Sequence, residues 1–507
     1  MGYRQDRERV VCLPARSLLV AMALLSSFCV AMPTSAAAGS EVAANADGDG
    51  LFVIVEATQR PLDGALVMPP ACGPYKSACR VVAEVLHNDM RLSGAVRALE
   101  LSAARIKSIR KYGLPNFEIH LAPARAAGVV YAIGTWLRKS RAHRGMVELK
   151  MAVFNVRTGQ VMNLGRHATV SGPISRVRTL SHRAANVVFG AISGFHGSFD
   201  AQIFYSAPGP GCTRCIWAVD ADGHNPRVLV GDKGIHMLPR QATQKGLFYV
   251  SFRTPLPSIF RLDGPEIDAL LKKPTPRRKK ARKRARKKRK SSRTADTLAS
   301  VGPTAMATGK SLQFRTAAQN SHGRIAATIN DGKQADIWLL GDKGQPRENL
   351  TKNDADDLDP SWSPDGTKLA FVSDRSGSPQ IYVLTLGNKN LRRLTFSGRY
   401  NTGPDWGYNG KIVYSGLRGR AVDILTVDMH KSIQRLTPGK GRRSLEPSWA
   451  PCGRRVVYVS DEDNKGSRLW VASHDGAVRQ PLALPGGRYY TPVWRRSPGQ
   501  APEPFQP

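Results

Sequence analysis

A tryptophan-centred motif recurs at a nearly constant interval in the C-terminal part of the chain. It reads Pro360-Ser-Trp362, Pro404-Asp-Trp406, Pro447-Ser-Trp449 and Pro492-Val-Trp494, and its tryptophans lie 44, 43 and 45 residues apart. A period of about 40–45 residues is that of a β-propeller blade, which has four antiparallel strands. The interval therefore predicts a ring of blades.

Each repeat contains the same succession of turn and strands. In the clearest one, a turn at Pro364-Asp-Gly366 precedes an apolar strand at Lys368–Ser373, and a polar loop leads to a second strand at Gln380–Leu384. Apolar alternation between turn-forming residues is typical of β-hairpins. The pattern extends backwards, more weakly, to Ile203–Ser206, so we predict six blades over residues 199–496. The strand of Trp494 is expected to complete another blade and close the ring.

The first 38 residues have the three parts of a secretory signal peptide. Several arginines precede an apolar run at Ser17–Met32, and small residues then lead to an expected cleavage site after Ala38. A membrane anchor is disfavoured because the run is shorter than the about 20 residues that a transmembrane helix needs. We therefore expect a periplasmic protein without a membrane span in its mature chain. Residues 39–198 mix strand and helix patterns and are expected to form a small α/β domain, and residues 497–507 a Pro-rich tail.

One blade interval is too long, and the excess coincides with a basic tract. Removing the 34 residues 272–305 restores a 43-residue period between Gly246 and Gly323. Lys272–Lys290 consists mostly of Lys and Arg without an apolar face, so we expect a disordered loop. Two interpretations of the tract remain open: a solvated surface loop, and a segment that binds anionic envelope polymers or lipid head groups electrostatically. Nucleic-acid binding is disfavoured because of the leader and because no aromatic residue interrupts the tract.

Five cysteines follow the leader, in a compartment that allows disulfides. Cys212-Thr-Arg-Cys215 has the spacing of a redox motif, but it lies between two predicted strands and not at a helix N-terminus. A hairpin disulfide is therefore favoured over a free pair and over zinc. Cys72 and Cys79 are the second candidate pair, whereas Cys452 replaces a turn residue and is expected to be exposed. We expect no metal and no cofactor.

The segment from Pro360 to Val383, continued by Leu391–Phe396, resembles a blade of the TolB family, the periplasmic propeller proteins of the Tol–Pal system. Ser181–Gly194 resembles the helix that joins the two domains of that family. The resemblance implies a scaffold that binds a peptidoglycan-associated lipoprotein and other Tol proteins, and that helps to maintain outer-membrane integrity, including during cell division. The basic insert departs from the family pattern, and Gly39–Gly50 does not match the segment with which the family binds TolA.

The alternative function is a propeller enzyme, a lyase or hydrolase, or a sensor acting on envelope polymers. A lyase would show His, Arg or acidic residues recurring at the inner ends of several blades, but the recurring residues are Trp, Pro and Gly. No nucleophile elbow and no phosphate-binding glycine loop is present in the sequence. We therefore predict a binding protein without catalytic residues.

The loops that precede each Pro-x-Trp strand are the candidate partner surface. They lead into the strand nearest the ring axis, so they are expected to converge on one mouth of the channel. They are rich in Arg and Tyr, which dominate binding hot spots, although ordinary solvated loops are the alternative. The family resemblance places the lipoprotein contact on this side too. The candidates are Asp356, Asp357, Leu358, Arg399, Tyr400, Asn401, Thr402, Arg443, Ser444, Leu445, Arg488, Tyr489 and Tyr490.

Overall fold

The computed structural model describes residues 40–43, 52–55, 61–112, 117–141, 143–242, 246–272, 304–307, 312–437, 439, 442–461, 466–484 and 487–495. The expected signal peptide, the basic tract from residue 273 onwards and the Pro-rich tail lie outside these residues. Within the described ranges, no helix has the length and apolar character that crossing a membrane requires. Two short strands, β1 (Ser40–Ala43) and β2 (Phe52–Val55), form an antiparallel hairpin.

The first domain is built on a mixed sheet in the order β10-β8-β7-β3-β4, with β9 paired to β8. Strands β3 and β4 are parallel, as are β3 and β7, whereas β7, β8 and β10 are antiparallel. A separate hairpin joins β5 to β6. The strands are β3 (Gly64–Val67), β4 (Arg97–Ala98), β5 (Arg110–Tyr112), β6 (Glu118–Ile119), β7 (Val129–Lys139), β8 (Met146–Asn155), β9 (Gln160–Val161) and β10 (Thr169–Pro173).

Helices cover both faces of this sheet, so the domain has two apolar cores. The long helices α1 (Lys76–Leu92) and α4 (Val177–Ser193) pack together on one face, and α2 (Ala103–Ile109) and α3 (Leu121–Ala126) contribute to the core on the other. Helix α4 buries apolar residues at spacings of three and four, as the sequence predicts, and ends at Gly194, whose φ of +77° suits glycine. The small α/β domain is thus confirmed.

Six four-stranded antiparallel sheets follow as the blades of a propeller. The short helix α5 (Gly264–Lys272) follows β16. The strands are β11 (Gln202–Gly209), β12 (Cys212–Asp220) and β13 (Arg227–Val230) in blade 1; β14 (His236–Gln241), β15 (Leu247–Ser251), β16 (Ser258–Leu262) and β17 (Thr304–Ala307) in blade 2; β18 (Gln313–Gln319), β19 (Ile325–Asn330), β20 (Ala335–Leu340) and β21 (Pro346–Asn349) in blade 3; β22 (Asp357–Trp362), β23 (Lys368–Ser373), β24 (Gln380–Thr385) and β25 (Asn390–Arg393) in blade 4; β26 (Asn401–Trp406), β27 (Ile412–Arg418), β28 (Ala421–Val427) and β29 (Ile433–Arg435) in blade 5; β30 (Ser444–Trp449), β31 (Arg455–Ser460), β32 (Arg468–Ser473) and β33 (Arg479–Pro481) in blade 6; and β34 (Tyr490–Arg495).

The last strand closes the ring. Strand β34 pairs with β11 in antiparallel register, with Ile203 opposite Trp494, and becomes the inner strand of blade 1. The first and the last blade are therefore joined, and the ring has no gap between them. The predicted six-bladed propeller and its closure by the strand of Trp494 are confirmed.

The Pro-x-Trp motif joins four pairs of neighbouring blades, from blades 3 and 4 round to blades 6 and 1. The four indoles are buried, at 1–6% exposure, and each belongs to an apolar cluster that spans two neighbouring blades. The side chain before the tryptophan accepts a hydrogen bond from the backbone N–H of the tryptophan in the following blade: Ser361 Oγ from Trp406 N at 2.9 Å, and Asp405 Oδ2 from Trp449 N at 2.7 Å. The tryptophans are thus structural and not ligand-binding.

The first domain packs against the ends of blades 1 and 6 at which the inner strands finish. Arg178 of α4 pairs with Asp222, in the turn between β12 and β13. A Cβ on Gly94 would lie only 2.3 Å from that of Ser473 in blade 6, so the two domains meet closely. The prediction that Cys452 is exposed is wrong. Because its turn faces the first domain, this thiol is 6% exposed and lies 3.1 Å from Ser198 Oγ.

Two predicted boundaries differ from the described elements. The prediction places residues 40–43 and 52–55 in the first domain, but the backbone of β2 pairs in parallel with β29, at the outer edge of blade 5. The insert interrupts blade 2 between β16 and β17, but its predicted bounds, 272–305, include the last residue of α5 and the first two residues of β17. The expected disorder of the tract concerns residues outside the described ranges.

Candidate functional site

The inner strands β14, β18, β22, β26, β30 and β34 all begin at one end of the central channel. Their other ends carry the tryptophans and face the first domain. We call the end at which they begin the distal mouth. The loops singled out from the sequence therefore converge, as predicted.

The first residue of several inner strands is an anchor and not a surface group. Asp357, Asn401 and Ser444 are 0–3% exposed. Asp357 accepts two hydrogen bonds from Arg375 Nη2, at 3.0 and 2.9 Å, whereas Asn401 donates to Gln380 at 2.7 Å. These polar side chains are buried because their polar atoms form hydrogen bonds with groups at the ends of neighbouring strands.

Only some of the predicted residues are therefore accessible at the distal mouth. Tyr489 is also buried, because its ring packs 5.5 Å from that of Tyr205. Asp356, Leu358, Thr402, Leu445 and Tyr490 are half-buried, whereas Arg399, Tyr400, Arg443 and Arg488 are exposed. At 49%, Tyr400 is among the most exposed large apolar side chains that the structure describes. These exposed and half-buried residues remain the candidate partner surface.

Arg214 belongs to this surface and was missed by the sequence analysis. Its guanidinium lies 4.0 Å from the ring centroid of Tyr490, in a cation–π contact. The structure joins Cys212 to Cys215 on either side of it, and Cys72 to Cys79 in the first domain. The oxidation of both pairs stays a prediction. The pairing of β34 with β11 brings Tyr490 to Arg214, so no local motif could have identified this contact.

A second layer of residues lies one step deeper in the channel. The residue before the proline of the inner strand has a positive φ in five blades, including Asp359 at 53° and Glu446 at 56°, and the pairing register shifts at the same place. Glu446 Oε2 accepts a hydrogen bond from Thr491 N at 2.5 Å. Burial raises the pKa of Glu446, and this hydrogen bond and Arg240 oppose the increase.

One group at the mouth has the connectivity of a catalytic triad. His236 Nδ1 lies 3.0 Å from Ser251 Oγ, and His236 Nε2 lies 3.0 Å from Asp232 Oδ1. The accessibility is the reverse of that in a hydrolase, since Ser251 is fully buried and Asp232 is 46% exposed in its side chain. A substrate cannot reach the serine, so the group anchors β14 to β15.

The central channel is too narrow for a small-molecule ligand, whereas an open recess of about 490 Å³ lies at the distal mouth beside Asn353, Asp354 and Asp374. The channel between the inner strands leaves about 70 Å³ near Trp362, Trp449 and Trp494, well below the ~300 Å³ at which ligand pockets begin. A cavity of about 370 Å³ lies between the first domain and blade 6, beside Arg454 and His474. It is far from the predicted residues.

One buried cluster has donor atoms that suit a metal ion. Single ligand atoms of Asp89, His182 and Asp222 all lie within 4.8 Å of one another, between the two domains. His182 Nδ1 is 2.7 Å from Asp89 Oδ2, and Arg178 already pairs with Asp222. Because a guanidinium neutralises one carboxylate, we interpret the cluster as an interdomain ion-pair network.

Comparison with known proteins agrees with this architecture. A family model described as the TolB beta propeller domain matches residues 303–498. The Tol-Pal system protein TolB of Bordetella pertussis is 25% identical over 419 residues, which cover 82% of this chain and 84% of that protein. The protein TolB homolog of Chlorobium luteolum is 43% identical over 72 residues, or 14% of this chain and 16% of that protein.

A solved structure extends the similarity to the order of the domains. The crystal structure of TolB from Acinetobacter baumannii has a TM-score of 0.66 and 22% identity, and the match covers 90% of this chain and 99% of that one. At this identity the similarity concerns the fold. Together with the matching propeller model and the curated relatives, it confirms the resemblance to the TolB family inferred from the repeats.

Proposed function

We propose that the protein is a non-catalytic periplasmic scaffold of a Tol–Pal-type system. It binds a peptidoglycan-associated lipoprotein at the distal mouth and acts with other Tol proteins to maintain outer-membrane integrity, including during cell division. Relatives named as Tol-Pal system proteins, which match over 82% of the chain, support the system. The inaccessible Ser251 and the narrow channel support a binding function rather than catalysis.

The observation that carries the proposal is the composition of the distal mouth. Tyr400 is exposed, and Tyr490 is stacked against Arg214 on a neighbouring part of the rim. Tyrosine and arginine supply large contact areas and charged donors, and they are enriched among the residues that dominate binding energy. These side chains stand on strands of a closed ring, so little order has to be gained on binding.

The test is the double substitution Tyr400→Ala with Tyr490→Ala. We expect it to weaken binding of the purified lipoprotein at least tenfold, which is about 1.4 kcal/mol, because it removes both aromatic contacts. Isothermal titration calorimetry measures the affinity, and circular dichroism checks that the ring is intact.

Tyr112→Ala provides the matched control. Tyr112 is 55% exposed but lies in the first domain, so its loss should leave the affinity unchanged. An unchanged affinity in the double variant with a folded ring would move the site away from the distal mouth. A wild-type protein that fails to bind the lipoprotein would refute the proposed function itself.

A further inference from the structure

The face around the distal mouth exposes a group of arginines on one side of the ring. These arginines lie on blade 5 or on the loops that lead into β26, β30 and β34, and we call them the arginine arc: Arg399, Arg420, Arg443 and Arg488. On blades 3 and 4 the exposed charges of this face are mixed, since Asp331 and Asp354 lie in the same loops as Lys333 and Lys352.

The backbone beneath the arc is held by hydrogen bonds. Tyr400 O accepts from Leu417 N at 2.8 Å, and Arg442 O accepts from Val422 N at 3.0 Å, which ties the loops to the strands of blade 5. Arg443 N donates to Asp461 Oδ1 at 3.0 Å. Thus the positions of the arginines are set by the fold, and only their side chains remain to be ordered by a partner.

The guanidinium groups of the arc are uncompensated. Across the ranges that the structure describes, none of its four arginines forms an ion pair or a side-chain hydrogen bond. Arg214, stacked on Tyr490, adds a fifth cation beside them. Unpaired arginines that stand close together on a fixed backbone attract carboxylates, which the guanidinium group binds in a bidentate manner.

We propose that the arginine arc binds an acidic surface of the protein partner. A protein surface fits this region because half-buried Leu445 and exposed Tyr400 lie among the cations and offer apolar contact. The inference rests on the proposed function for the identity of the partner. The charge of its contact surface follows from the arc alone.

The test compares two triple charge reversals in the full chain. The arc variant reverses three of its four charges, through Arg399→Glu, Arg443→Glu and Arg488→Glu. The control variant reverses three exposed arginines of the first domain, through Arg80→Glu, Arg105→Glu and Arg176→Glu. Both variants have the same net charge and an intact basic tract. The probe is the purified peptidoglycan-associated lipoprotein without its lipid anchor, and stopped-flow fluorescence measures the association rate.

We expect the arc variant to associate at least tenfold more slowly, at low salt, than the wild-type protein and the control variant. Raising NaCl from about 50 mM to about 500 mM should slow association of the wild-type protein, because salt screens the electrostatic attraction. The association rate of the arc variant should hardly change, because the substitutions have already removed this attraction. If both variants associate at the wild-type rate, the inference is refuted and the proposed function stands. If the wild-type protein does not bind the lipoprotein, both fall.

Discussion

Single residues at the distal mouth divide into anchors and surface groups, and sequence position does not separate them. Asp356 and Asp357 are adjacent, yet only Asp357 is fully buried. Its carboxylate accepts hydrogen bonds from Arg375 and from Asn353, the latter at 2.6 Å, and so holds the start of β22 to the loop between β23 and β24. Its substitution should therefore affect folding before it affects binding.

Asp357→Ala is expected to lower the free energy of unfolding by about 2–3 kcal/mol, because it leaves Arg375 and Asn353 without their acceptor. Urea denaturation measures the change. Asp354→Ala, in the same loop but exposed, is the control and should change the stability by less than about 0.5 kcal/mol. Equal stabilities of the two variants would show that Asp357 is not an anchor.

At the scale of the elements, the blades could be predicted because each repeats a hairpin pattern and one bulky residue. Trp362, Trp406 and Trp449 fill the same space between blades, so their spacing reports the blade period directly. The pairing of β2 with β29 joins segments far apart in the sequence and has no local signal. The burial of Asn401 and Cys452 depends on neighbours from other strands and from the first domain, so it could not be predicted either.

The basic insert lies between two strands of blade 2, so its deletion measures how far the stability of the blade depends on this connection. Helix α5 precedes the tract, and its residue Ile267 is buried in the core shared by blades 1 and 2. We expect deletion of residues 273–290 to change the melting temperature by less than about 2 °C, because the flanking elements keep their contacts. It should also lower any salt-dependent binding to anionic envelope material.

Differential scanning calorimetry and vesicle sedimentation measure the two effects. A variant of wild-type length, in which serines replace the lysines and arginines of the tract, separates charge from length. A large loss of thermal stability in the deletion alone would identify the tract as part of the fold.

At the scale of the molecule, the two domains are joined by buried charges. His182 of α4 lies between Asp89 of α1 and Asp222 of blade 1, with Arg178 and Asp220 beside it. Burial alone would lower the pKa of His182, but the two carboxylates raise it overall. Burial raises the pKa of Asp89 to about 6. Both groups thus bind protons more strongly in the folded protein.

A group with a raised pKa stabilises the fold below its unfolded pKa, about 6.5 for histidine, and loses this effect as the pH rises through its folded pKa. We therefore expect the melting temperature to fall as the pH rises above about 6.5, and to fall less steeply in His182→Gln. His143→Gln, at an exposed turn, should keep the wild-type slope. Parallel curves for all three proteins would exclude His182 as the titrating group.

The closure by β34 has a consequence for the order in which the protein assembles. Blade 1 begins with β11 but lacks its inner strand until the last strand of the propeller has joined it. Until then β11 presents an unpaired edge, and the apolar surface that Trp494 later covers stays exposed to water. Contacts so distant along the chain form late and slowly. A chain truncated before β34 would therefore leave a ring with a gap, whose open edge favours aggregation.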